Sequence, residues 1–177
     1  MLAIFSLFVF SKQIDGGWET ISVQSKEVNY VRNYLYENIQ ILFPEIEDND
    51  YIIESAKLQI VAGMSLQLLI KTTRPRLSFV ITLYINPQGK IAIKDISKGE
   101  NARPVFGGYV WHDVSHISNP NIRKLVQGTI IVYRTKIERG LRIHVIYRTP
   151  EQKIYSAVFA TNLQTKNEEL VYIYEIQ

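Results

Sequence analysis

The apolar residues of this chain change period part-way along it, and that change limits the folds available. Val28, Val31, Leu35, Ile39 and Leu42 recur every three or four positions, which makes one buried face of a helix. Ser25 stands where a helix cap is wanted, Glu27 suits a first turn, and Pro44 ends the run. From Tyr51 the period is two. Leu66, Leu68 and Ile70 share one face of a strand; Leu77, Phe79, Ile81, Leu83 and Ile85 share one face of the next; Ile91 and Ile93 continue the pattern. Asn86-Pro87-Gln88-Gly89 reads as a tight turn between two of these strands. With a short strand at residues 18–23, the order is strand, long helix, four antiparallel strands. A sheet with one apolar face needs a cover, and the helix can supply it.

A polar, turn-rich stretch at residues 99–105 reads as a linker. The second half of the chain resembles a shortened copy of the first. Gly107-Gly108-Tyr109 echoes Gly16-Gly17-Trp18, and Lys136-Ile137-Glu138-Arg139-Gly140 falls where Gln59-Ile60-Val61-Ala62-Gly63 stands in the first half. The interval between the two glycine marks is shorter in the second half. The loss falls in the helix, which would run two or three turns from Pro120 with Asn119 as cap. The alternative is a second sheet that pairs with the first in one larger domain.

Charge and cysteine content exclude several classes. Among 177 residues, 46% are apolar and 21% charged; the net charge is +3, and the Lys and Arg residues are scattered, with no run of five or six. Nucleic-acid binding needs a concentrated basic stripe, so a nucleic-acid partner is not expected. With no cysteine, thiol catalysis, disulfides and thiolate metal sites are ruled out. The start, residues 1–11, is apolar and reads as a secretory signal peptide, or else as a buried first strand. A cleaved signal would place the protein in the secretory or endolysosomal route; without it, the cytoplasm is expected. No stretch is long enough for a transmembrane helix.

The pentapeptide Gln59-Ile60-Val61-Ala62-Gly63 matches the QxVxG motif of cystatins, and Gly16-Gly17, the long helix and the Pro87-Gln88-Gly89 turn fall in the order that family shows. Residues 16–98 therefore resemble a cystatin. The resemblance implies an α+β, cystatin-like fold, one long helix packed on a curved antiparallel sheet, in tandem with a shortened α+β copy. The divisions would be residues 12–98, 99–105 and 106–177. It also implies a reversible inhibitor of papain-like cysteine proteases, not an enzyme and with no cofactor. Gly16, Gly17, Gln59, Ile60, Val61, Ala62, Gly63, Pro87, Gln88 and Gly89 would form a wedge that fills the protease cleft. Val61→Asp with Gly63→Trp should then abolish inhibition and leave the fold intact. The sequence departs from the family in three respects: Gln88 stands where the second loop usually carries Trp, the disulfides of secreted cystatins are absent, and the second half has a charged tip at Glu138 and Arg139. No inhibitory role is carried to that half. A competing expectation is a non-inhibitory structural or assembly protein that self-associates by strand addition.

Other constellations are weaker. His112 and His116 lack a third metal ligand. His112, Asp113 and Ser115 are too close in sequence to converge as a hydrolytic set. His144 reads as a polar-face strand residue, and Glu45 to Asp50 as a solvated loop.

Overall fold

The computed structural model describes residues 17–46, 50–100, 108–117, 119–162 and 164–177. The signal-like segment 1–11, Gly16 and most of the 99–105 linker lie outside the described residues.

The chain runs β1 (Glu19–Ile21), α1 (Lys26–Leu42), β2 (Tyr51–Val61), β3 (Gly63–Thr72), β4 (Ser78–Ile85) and β5 (Ile91–Lys98). It continues with β6 (Val110–His112), a 3₁₀ turn (Val114–His116), α2 (Pro120–Leu125), β7 (Thr129–Ile137), β8 (Leu141–Arg148), β9 (Ile154–Thr161) and β10 (Glu168–Ile176). Two antiparallel five-stranded sheets result, ordered β1-β2-β3-β4-β5 and β10-β9-β8-β7-β6.

This corrects the expected architecture. The cystatin-like α+β arrangement, a long helix on one sheet and its shortened repeat, is replaced by a mostly β molecule of two sheets and two helices. The physical reason lies in the second half. Its period-two segments fill five strands, and α2 has six residues where two or three turns were predicted. A helix that short cannot act as the principal cover of a five-stranded sheet.

Helix α1 forms as its sequence directs. The Ser25 hydroxyl accepts from the Val28 N–H at 3.3 Å, satisfying one of the free donors of the first turn. Val28, Val31, Leu35, Ile39 and Leu42 are fully buried and pack with Leu66, Leu68, Ile70, Phe79, Ile81 and Leu83 of the first sheet.

The same apolar cluster continues into Val132, Ile146, Ile154 and Ile176 of the second sheet, so one core runs through both halves. Strand β8 shows why. Ile143, Val145 and Tyr147 pack with Ile122 and Val126 of the α2 region. On the alternate face His144 and Ile146 are fully buried, Ile146 joins the shared core, and Arg148 donates to the Ile93 and Lys94 carbonyls of β5 at 2.7 and 2.8 Å. Burial of both faces turns the expected alternation of apolar and polar residues into a nearly unbroken buried run.

A buried ionic cluster ties the halves together. The Arg134 side chain, with no exposed surface, meets Glu45 through two nitrogens at 2.5 and 3.1 Å. Its guanidinium lies 4.6 Å from the Phe43 ring centroid, 4.8 Å from Tyr109 and 5.3 Å from Trp111. Arg134 also donates to Nδ1 of His144, at 2.6 Å from Nη2. That leaves the proton on Nε2, which meets the Ser156 hydroxyl at 3.0 Å.

Burial first, and the Arg134 charge second, hold the His144 pKa well below its ordinary value. The folded protein thus binds this proton less readily than the unfolded chain. The His144 contribution is complete above about pH 6.5 and is lost as pH falls below it, at up to about 1.4 kcal/mol per pH unit. Urea unfolding at pH 7, 6 and 5 should show this loss, and His144→Gln should flatten it.

Candidate functional site

Two turns of the first sheet and the segment that enters β1 gather at one end. Val61 pairs with Gly63, so Ala62 alone carries the chain from β2 into β3. Gly63 has φ +124°, where an L side chain is strained. Met64 pairs with Ile85, and Ile85 with Ile91, so the β4–β5 turn at Pro87-Gln88-Gly89 lies at that same end. Strand β1 runs antiparallel to β2 with Glu19 opposite Leu58 and Ile21 opposite Ala56. That register brings Gly17 and Trp18 towards the end where Ala62 sits.

The predicted residues therefore come together, apart from Gly16, which lies outside the described residues. Ile60 and Val61 are 41% and 45% exposed. Gly17, Ala62, Pro87 and Gln88 are exposed, and Gln59, Gly63 and Gly89 are half-buried.

Sequence reasoning missed several neighbours of these turns. Trp18 is 41% exposed beside Gly17, and its place next to the glycine pair was the available signal. The Tyr84 hydroxyl donates to the Ala62 carbonyl. The Tyr30 hydroxyl, from the start of α1, donates to the Gly89 carbonyl at 2.8 Å. Lys94 lies over the Tyr84 ring at 4.9 Å, and Lys90 is exposed at the second turn. These pairings depend on which strands become neighbours, and sequence spacing does not carry that information.

The space around Gly63 corrects one expectation. A Cβ there would stand 2.7 Å from the Ile85 carbonyl oxygen and 2.7 Å from the Tyr84 hydroxyl. Gly63→Trp cannot leave the sheet intact. Even Gly63→Ala should destabilise the protein by about 1–3 kcal/mol, the usual cost of a strained backbone position, read as a lower urea midpoint.

The second half presents a comparable tip of different chemistry. Ile137 is 84% exposed, and Glu138 pairs with Lys136 at 2.6 Å and Arg142 at 3.5 Å. Elsewhere, His112 meets Thr135 at 2.7 Å and His116 meets Asp113 at 3.2 Å, so the two histidines have separate partners. Ser115 and Asp113 both approach Nδ1 of the same exposed His116, which leaves no relay from acid through imidazole to hydroxyl. Hydrogen bonds from Ser115 hold the Asp113 carboxyl below its usual range. His144 is fully buried in the Arg134 cluster, not on a polar strand face. Among the described residues no group of three or more His, Asp or Glu could hold a metal, and no helix is long and apolar enough to cross a membrane.

Compared with protein-family models and with curated proteins, the chain matches none.

Proposed function

We propose that the protein is a reversible inhibitor of papain-like cysteine proteases, acting by occlusion of the active-site cleft. The observation that supports this reading is that two turns of the first sheet and the segment entering β1 lie at one end, with Ala62 exposed between the other two. A cleft that binds extended peptides is narrow, and a bend of one small residue between two paired strands is narrow enough to enter it. Ile60 and Val61 bring exposed apolar surface, whose burial is the driving force. The rigid ladder behind them keeps the ordering cost of binding low. No bond is made or broken. Gln88 in the second turn offers less apolar surface than an aromatic residue would, and Trp18 supplies an exposed aromatic at the other edge of the sheet, before β1.

Steady-state kinetics with papain and a fluorogenic peptide test the reading. Competitive inhibition that reverses on dilution, with the chain still whole, is expected. Undiminished activity beside folded protein at micromolar concentration overturns it.

A second reading, self-association by strand addition, draws on β10. This edge strand exposes Leu170, Val171, Ile173 and Tyr174 and, among the described residues, has one hydrogen-bonded neighbour strand, β9. Unpaired edges of this length template association. Size-exclusion chromatography separates the two readings: a monomer at all concentrations excludes the second.

A further inference from the structure

We infer that Tyr84 and Tyr30 are positioning residues that latch the two turns in their binding shape; this rests on the occlusion reading above. The two turns share one construction. Each contains a glycine with positive φ, Gly63 at +124° and Gly89 at +82°. Each has a tyrosine hydroxyl donating to a carbonyl of the bend: Tyr84 to Ala62 and Tyr30 to Gly89. At each, the tyrosine occupies the space that a side chain on the glycine would need. A Cβ on Gly63 would lie 2.7 Å from the Tyr84 hydroxyl, and one on Gly89 would lie 2.8 Å from that of Tyr30.

The tyrosines reach the bends from behind. Tyr84 stands on β4 and pairs with Ser65 of β3 and Ala92 of β5. Tyr30 stands in the second turn of α1, 59 positions before the residue it holds. Helix and sheet thus meet at the tip through one hydrogen bond. Carbonyls at an exposed bend can bond to water, so these contacts add little to global stability. Their effect is local: they narrow the range of tip conformations before a partner arrives, which lowers the ordering cost of association. Lys94 over the Tyr84 ring restricts that side chain further.

The test uses the full chain as wild type, Tyr84→Phe, Tyr30→Phe and the double variant. Papain is the probe, and each protein is followed by inhibition kinetics, thermal melting and amide hydrogen exchange. Loss of each hydroxyl should raise the inhibition constant roughly 3- to 10-fold, the effect of one net hydrogen bond. The melting temperature should stay close to wild type, and exchange should quicken at residues 61–63 or 88–90 alone. A purely structural role would lower melting and speed exchange throughout the sheet, and that result overturns the inference. Phenylalanine variants that inhibit as well as wild type overturn it too. A wild-type protein that does not inhibit papain defeats the occlusion reading itself, and faster exchange confined to the two turns in the variants would then uphold the latches as structure alone, without the binding role inferred here.

Discussion

Arg134→Ala should lower stability by about 3–5 kcal/mol, the usual cost of breaking a buried ion pair from one side. For a chain of this size that is a fall of roughly 10 °C in melting temperature. The substitution leaves Glu45, whose side chain is only 16% exposed, facing an apolar wall without its cation. It removes the donor to Nδ1 of His144. It also opens a void between Phe43, Tyr109 and Trp111, whose rings surround the guanidinium. Lysine should not rescue it, because an ammonium cannot make the two-point contact with Glu45 or stack flat on the rings. Because Glu45 follows α1 and Arg134 lies on β7, the loss should loosen the contact between the halves. An unfolding free energy within about 1 kcal/mol of wild type in urea would show that the cluster does not hold the halves together.

The second large effect concerns binding. Val61→Asp should weaken papain inhibition at least 100-fold, since a carboxylate carried into a closed cleft loses its hydration without gaining a partner. Val61 is 45% exposed and lies at the end of its strand, so folding should be nearly unaffected. The comparison with Gly63→Ala is informative. That change acts on the backbone and the Ile85 carbonyl, and it should reduce both stability and inhibition. Equal inhibition by wild type and Val61→Asp would remove this turn from the binding surface.

Local signals in the sequence were strong where one element met one environment. The spacing of Val28, Val31, Leu35, Ile39 and Leu42 defines a helix face that is fully buried, and Ser25 caps it. The turn at Asn86 to Gly89 closes with the Gly89 N–H on the Asn86 carbonyl at 2.9 Å. The residues at the tip of the first sheet were legible for the same reason: tight bends leave local marks in glycine and proline. The architecture as a whole was not legible, because it depends on what each sheet faces. Strand β8 is buried on both sides, so His144 and Arg148 look like solvent-facing residues in the sequence yet sit against the first half. Arg134 reads as an ordinary charged residue of a strand, and only Glu45, 89 positions away, explains its burial. The latches from Tyr84 and Tyr30 escaped for the same reason, since each joins elements distant in sequence.

The occlusion reading places a protease against the end of the first sheet, and the footprint of binding tests that placement most directly. Amide hydrogen exchange should be compared for the protein alone and saturated with papain. Protection is expected at residues 17–18, 59–63 and 87–89, with β10 and the tip at residues 137–140 unchanged. Protection along β10 instead, or none at residues 59–63, would contradict it.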